Sequence, residues 1–241
     1  MKYAIIAAGE GSRLAADGIQ DPKPLVKVGG ERLIDRLIRI FMDNDAEEIV
    51  VICNDKTAQV AQHLMRIQRD GLVGRPVPLY FQIKSTPSSM HSLYEISSRL
   101  KSSPFVLTTV DTVFDEHDFS RYVSQFSQLS KVEDTCGLLG VTDYVDDERP
   151  LYVQTDEALN IKGFYDTNNP PCQYVSAGIY GLPSCALATL NNCINRGEQR
   201  MRNFQRALIR EGMQLKAFPF ADVFDIDHAE DIQKVEAVIH A

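Results

Sequence analysis

The 241-residue chain contains no apolar run approaching the about 18 residues that a membrane helix needs. It has no surplus of positive charge: 25 Lys and Arg stand against 33 Asp and Glu, a net charge of −8. That balance argues against a nucleic-acid groove or an anionic membrane as the main partner, while leaving room for a basic pocket in an acidic surface. The five cysteines, Cys53, Cys136, Cys172, Cys185 and Cys193, are odd in number and lack C-x-x-C spacing. With no histidines at metal-ligand intervals beside them, they read as reduced thiols of a cytoplasmic protein. The apolar opening Tyr3 to Ala8 gives way to Gly9, Glu10 and Arg13, too short and too polar for a signal peptide. With 14 Gly and 11 Pro, the composition is neither collagen-like nor that of a disordered chain. No internal repeat or low-complexity stretch is found.

Hydrophobic residues at 44% and charged residues at 24% are ordinary for a globular protein. A chain of this length buries roughly 72% of its unfolded surface without staples. Apolar, β-branched runs at Tyr3 to Ala7, Ile49 to Cys53, Val77 to Ile83 and Phe105 to Val110 alternate with amphipathic segments at Glu31 to Asn44, Lys56 to Arg69, Met90 to Lys101 and Asp118 to Ser130. This alternation predicts βαβ units around a mostly parallel sheet. In the first amphipathic segment Ile34, Leu37, Ile38 and Phe41 form one stripe at i, i+3, i+4 and i+7, so the helix packs on the sheet. The second half changes character. Strand-like pieces at Cys136 to Tyr144, Leu151 to Thr155, Asn160 to Phe164 and Tyr174 to Gly181 are joined by turn-rich linkers such as 143–150. Helices near Ser184 to Asn195 and Arg200 to Glu211, a strand at Leu215 to Phe220, and a closing helix from His228 with Ile232, Val235 and Val238 complete the chain.

The chemistry starts at the first strand. Tyr3-Ala4-Ile5-Ile6-Ala7 runs into Ala8-Gly9-Glu10-Gly11-Ser12-Arg13-Leu14, and then into Pro22-Lys23-Pro24-Leu25-Val26-Lys27-Val28-Gly29-Gly30. Small residues after a strand let backbone N–H groups approach a polyphosphate, and Arg13 and Lys23 supply fixed positive charge to its oxygens. A dinucleotide fingerprint fails because Leu14 occupies the third glycine position, and a Walker loop fails because no Gly-Lys-Ser/Thr follows. A structural turn with surface cations is the plain alternative.

The string AAGEGSRL followed by PKPLVKVGG and a helix resembles the signature of the nucleotidyltransferases that make nucleotide-activated sugars, a family that includes phosphocholine-type cytidylyltransferases. The resemblance implies a three-layer α/β/α, Rossmann-like, nucleotide-diphospho-sugar transferase-like fold with a mixed, mostly parallel sheet. It implies one domain over 1–241, binding nucleotide through about 1–130 and acceptor through about 131–241. Two further motifs follow in order. Phe105 to Val110 is an apolar strand that runs into Asp111, with Val110 where the family usually carries Gly; strand ends face the ligand in open α/β sheets. Phe224-Asp225-Ile226-Asp227-His228-Ala229-Glu230-Asp231-Ile232 resembles the family's aromatic-x-Asp-Ile-Asp-Thr-x-Glu-Asp-Leu ending. In an extended segment Asp225 and Asp227 share a face. Family position makes Asp227 the metal-ligand candidate, and Asp225 and Asp231 read as cap or solvated-face residues. Asp111 and Asp227 would together suit Mg²⁺, which takes one or two carboxylates plus phosphate oxygens and water.

The implied reaction joins a nucleoside triphosphate and a phosphomonoester with release of pyrophosphate. Arg13 would hold the β- and γ-phosphates, Lys23 the α-phosphate region, and Asp111 the metal. The nucleotide-binding set comprises Ala7, Ala8, Gly9, Gly11, Ser12, Arg13 and Lys23, with Gln82, Ser88 and Ser89 toward the base. Ser88 or Ser89 would equally serve as a helix cap. On the acceptor side, sugar-specific relatives carry a Glu-Lys pair where this chain has Asp166-Thr167. Asp166 would replace the acid, Lys162 would compensate for the lysine, and Gly178 lies in the following Gly-Ile-Tyr. Tyr144, Tyr152, Tyr165 and Tyr174 are available to cage an ammonium group. The five histidines form no ligand pattern and read as surface or helix-end residues. A sugar 1-phosphate is the first acceptor expected and a small alcohol or amino-alcohol phosphate such as phosphocholine the second. A catalytically silent nucleotide-sugar-binding regulator is the competing class. A retaining glycosyltransferase would carry Asp-x-Asp where this chain has Asp111-Thr112-Val113.

Overall fold

The computed structural model describes residues 1–144 and 149–239. The side chain of Val238, residue His240 and the middle of the 143–150 linker lie outside that description. In chain order the first half contains β1 (Lys2–Ala7), α1 (Ser12–Ala16), a 3-10 turn at Lys23–Leu25, β2 (Lys27–Val28), β3 (Glu31–Arg32), α2 (Leu33–Asp43), β4 (Glu48–Cys53) and α3 (Ala58–Asp70). Then come β5 (Leu79–Ile83), α4 (Ser89–Leu100), β6 (Phe105–Thr109), β7 (Thr112–Phe114) and α5 (Glu116–Val132). The second half adds β8 (Gly137–Thr142), β9 (Tyr152–Thr155), β10 (Ile161–Tyr165), β11 (Tyr174–Leu182), α6 (Ala186–Asn195), α7 (Met201–Arg210), β12 (Leu215–Pro219), β13 (Val223–Asp225) and α8 (Ala229–Ile239).

Parallel pairing joins β5, β4, β1 and β6 in that spatial order, as the alternating runs predict. Strand β11 then adds antiparallel to β6, with Ile179 opposite Thr108, and carries β8 and β9; β12 lies parallel to β8. The sheet is therefore mixed and continuous through both halves. Its central strand β1 is buried on both faces, and side-chain alternation divides it between two cores. Tyr3, Ile5 and Ala7 join Ile34, Leu37, Phe41, Leu64 and Phe119 under α2, α3 and α5. Ala4 and Ile6 join Met90, Leu93, Ile96, Leu190 and Phe204 under α4, α6 and α7. Two helical layers on one sheet make the α/β/α arrangement.

Several boundaries differ from the sequence reading. Helix α2 starts at Leu33 rather than Glu31, because Gly29 and Gly30 adopt φ of 60° and 83° and fold β2 against β3 as a tight hairpin. The third strand starts at Leu79 rather than Val77. Helix α5 gains two residues at its start because the Asp115 side chain accepts the Asp118 N–H at 2.8 Å. His63 is a buried residue rather than a surface one, with Nε2 2.5 Å from Asp35 Oδ1 in the α2–α3 interface.

Candidate active site

The loop after β1 is shaped by two features. Gly11 adopts φ +62°, and a Cβ there would stand 3.1 Å from Lys23 Cβ, so the glycine permits both the backbone turn and the close passage of the Lys23 segment. Asn54, buried at the end of β4, fixes the loop from the other side. Its amide donates to the Gly9 carbonyl at 3.0 Å, and its Oδ1 accepts the N–H groups of Lys56 and Thr57 at 3.1 Å each and the Thr57 hydroxyl at 2.8 Å. Sequence reasoning missed Asn54; the Asn54-Asp55-Lys56-Thr57 run after a strand was the available sign of an Asx turn.

The carboxylates are assembled by a strand pair too short to be read from sequence. Strands β7 and β13 run antiparallel with Thr112 opposite Asp225, and the Ile226 N–H donates to the Asp111 carbonyl at 3.1 Å. The Asp111 turn and the Asp225 to Asp227 segment are thereby brought to one place. Lys23 Nζ donates to Asp111 Oδ2 and, at 2.7 Å, to Asp227 Oδ1; Arg13 Nη1 donates to Asp227 Oδ2 at 2.5 Å. Burial disfavours the Lys23 ammonium, yet Asp111 and Asp227 outweigh it and hold its pKa above the ordinary lysine value. Among the described residues, no cation forms a salt bridge with Asp225. Its Oδ1 accepts the Thr112 hydroxyl at 3.2 Å, and that hydroxyl also meets Thr109 Oγ1 at 2.8 Å. Crowding at the cleft floor, with the like charges of Asp111 and Asp227, pushes the Asp225 carboxyl up to about 7, although its outer face is open to the cleft. Asp231 Oδ2 accepts the N–H groups of Asp227 at 3.1 Å and His228 at 2.7 Å, a cap at the start of α8.

These charges border a cavity of about 560 Å³. Of the expected nucleotide-binding residues, Ala8, Gly9, Gly11, Ser12, Arg13, Lys23, Ser88 and Ser89 line it, as do Asp111 and Asp227. Ala7 lies buried behind the wall, and Gln82 is not among the lining residues. Ser88 also caps α4, its Oγ accepting the His91 N–H at 3.4 Å, and Thr86 Oγ1 to Ser92 Oγ at 2.6 Å ties the preceding turn down.

A second hollow of about 270 Å³ shares Arg13 and Asp227 with the first and extends past Asp225, Ser176 and Tyr144. The expected acceptor residues are not gathered there. Lys162 pairs with Asp156 at 2.8 Å and lines neither hollow. Asp166 is captured by Arg202 and Arg206 on α7, in a separate basin. Gly178, at φ +70°, sits behind the centre: a Cβ there would stand 3.3 Å from Thr112 Oγ1.

Comparison with known proteins decides the family. Residues 2–240 match the family described as nucleotidyl transferase. The chain belongs to the nucleotidyl transferase family. It is 25% identical over 245 residues to the UTP–glucose-1-phosphate uridylyltransferase AglF of Haloferax volcanii, covering 98% of this chain and 95% of that protein. It is 24% identical over 245 residues to a bifunctional IPC transferase and DIPP synthase of Rubrobacter xylanophilus, covering 98% of this chain and 51% of that protein. The chain thus spans about half the length of that bifunctional relative. The fold also matches the inositol-1-phosphate CTP transferase from T. maritima, with a TM-score of 0.77 at 18% identity over 99% of this chain and 95% of the other. The Rossmann-like α/β/α fold expected from the resemblance is the one observed. No helix among the described residues is long and apolar enough to cross a membrane.

Proposed function

We propose that this nucleotidyl transferase joins a nucleoside triphosphate to a phosphomonoester and releases pyrophosphate, with the nucleotide held by about 1–130 and the acceptor by about 131–241. The observation that carries the reading is the convergence of Arg13, Lys23, Asp111 and Asp227, from three distant segments, at the mouth of one cavity. In the reaction an oxygen of the acceptor phosphate attacks the α-phosphorus, the α–β bridging bond breaks, and pyrophosphate leaves on the opposite side. No general base is needed, because a phosphomonoester is already mostly ionised near neutral pH. The protein's task is to align two polyanions and offset their charge. Arg13 faces both hollows and is placed to hold the leaving phosphates. Lys23 would exchange its carboxylate partners for α-phosphate oxygens.

The two carboxylates already converge on a single cation, the Lys23 ammonium, so their donor set fits Mg²⁺. Among the described residues no group of three or more His, Cys, Asp or Glu is arranged to hold a metal alone, which suits an ion completed by phosphate oxygens and water. Held by Asp111 and Asp227, Mg²⁺ would neutralise charge on the transferred phosphate.

A sugar 1-phosphate is our first acceptor. An amino-alcohol phosphate is the second reading, favoured by Tyr144 packed 5.2 Å from Phe224 beside Asp225, Glu230 and Asp231 in the second hollow. Pyrophosphate release with Mg²⁺ and each of CTP, UTP, GTP, dTTP and ATP, against separate pools of the two acceptor classes, tests the reading. Release requiring one nucleotide and one pool is expected. Silence from a folded protein that still binds nucleotide would transfer the assignment to a regulatory relative.

A further inference from the structure

Among the described residues, a group of arginines at the start of α7 lies outside the phosphate cavity. An open basin of about 980 Å³ there has Arg200, Arg202 and Arg206 in its lining, with the carboxylates of Asp166 and Glu198. Glu198 is already matched by Arg196 at 2.8 Å and Arg210 at 3.1 Å, outside the basin's lining. Arg200 makes no ion pair among the described residues. The start of α7 has no side-chain cap, so the positive end of its dipole adds to the guanidinium charge.

The basin is built as well as charged. Arg202 is fixed by Asp166 Oδ1 at 2.5 Å and by the Arg149 carbonyl at 3.0 Å; Arg206 is fixed by Asp166 Oδ2 at 2.9 Å and, through Nε, by the Phe164 carbonyl at 3.1 Å. One exposed carboxylate thus receives one N–H from each of two oriented guanidiniums, the arrangement in which an oxyanion is bound. Pro150 lines both this basin and the second hollow, which makes the two neighbours.

From this we infer that the arginine basin is a binding site for a small phosphate- or carboxylate-bearing anion, with Asp166 as the built-in counterion that such a ligand displaces. The anion has two possible sources: the far end of the acceptor, reaching past Pro150, or a separate effector. The first source rests on the function proposed above; the site itself does not.

The test titrates the whole protein with inorganic phosphate by calorimetry at low ionic strength, in wild type, Lys23→Met, Asp166→Asn and Arg202→Gln/Arg206→Gln. Phosphate binding should persist in Lys23→Met and weaken at least about tenfold in the double variant. It should tighten several-fold in Asp166→Asn, because two guanidiniums lose their internal partner; loss of a merely structural ion pair would not strengthen an anion's hold. Binding abolished by Lys23→Met, or unchanged in both Asp166→Asn and the double variant, overturns the site. Should the double variant fail to fold, Asp166→Asn decides alone. Steady-state kinetics then separates the sources. A raised acceptor KM at unchanged kcat in the double variant identifies the acceptor's far end. An unchanged KM, with loss of any phosphate effect on rate, identifies an effector. Because the titration does not depend on turnover, its outcome stands whether or not pyrophosphate is released.

Discussion

Replacement of Lys23 by Met keeps most of the side chain's length and removes the charge on which the site is organised. The Lys23 side chain is 9% exposed and its ammonium bridges Asp111 and Asp227, which are 22% and 39% exposed. Removing one partner of a fully buried ion pair costs about 3–5 kcal/mol. Water reaching the two carboxylates reduces that here to about 1–2 kcal/mol. In a chain of this size each kcal/mol moves Tm by about 2–4 °C, so Tm should fall by about 2–8 °C. Mg²⁺ should restore much of the loss, since the carboxylates then take the divalent ion in place of the ammonium, and this recovery should exceed any Mg²⁺ effect on wild type. Turnover should fall by about 10²–10³, the usual loss for one group aimed at developing charge, and Mg²⁺ should not restore it. Differential scanning fluorimetry with and without Mg²⁺, paired with a pyrophosphate-release assay, reads both effects. A variant with unchanged Tm and pyrophosphate release within twofold of wild type would refute both the bridging and the phosphate role.

Three further substitutions probe the surroundings. Gly11→Ala forces a side chain into a left-handed backbone and against Lys23 Cβ, costing about 1–2 kcal/mol and raising the KM for nucleotide; unchanged urea denaturation would contradict the strain. Thr112→Val removes the buried hydroxyl between Thr109 and Asp225 and should cost about 1–3 kcal/mol, most of which Thr112→Ser retains; full stability in Thr112→Val with loss in Thr112→Ser would point to packing instead. Hydrogen bonds from Arg39 hold the Glu116 carboxyl below its ordinary value of 4.5, so its stabilising effect is complete above that pH and is lost as pH falls below it. Glu116→Gln should therefore flatten the acid limb of a stability–pH curve, and an unaltered limb would remove Glu116 from the account.

The parts of this protein legible from sequence are those whose physics is local. The apolar run of β1, buried throughout Tyr3–Ala7, and the helical stripe of Ile34, Leu37, Ile38 and Phe41 are properties of single elements, and both hold in the structure. The glycine loop is similarly self-announcing, because a phosphate cradle needs small residues and nearby cations within a short stretch. Even here the sequence conceals half of the support: Asn54 fixes the loop from 45 residues away, and only its own Asx turn marks it.

The carboxylate centre and the acceptor side differ for a physical reason. Three-residue strands such as β7 and β13 are too short to show alternation, so the register that sets Thr112 against Asp225 has no local signature. Asp111 and Asp227 are nonetheless marked in the sequence, since each belongs to a recognisable motif, and the structure brings them together on Lys23. Asp166 and Lys162 had no such guide. Asp166 is expected to replace an acid and Lys162 a lysine of the acceptor site, but a charged residue at a strand end takes whichever counter-charge the fold brings near, and for Asp166 that is Arg202 and Arg206 on a helix 36 and 40 residues later. His63 follows the same rule, since the helical pattern places it on α3 while its partner Asp35 lies on α2. Sequence thus fixes charge and local shape, whereas the pairing of charges is decided by tertiary contacts. That difference explains why the glycine loop is legible in the sequence, and why the second hollow, assembled from β8, β11, β13 and α8, shows only in the structure.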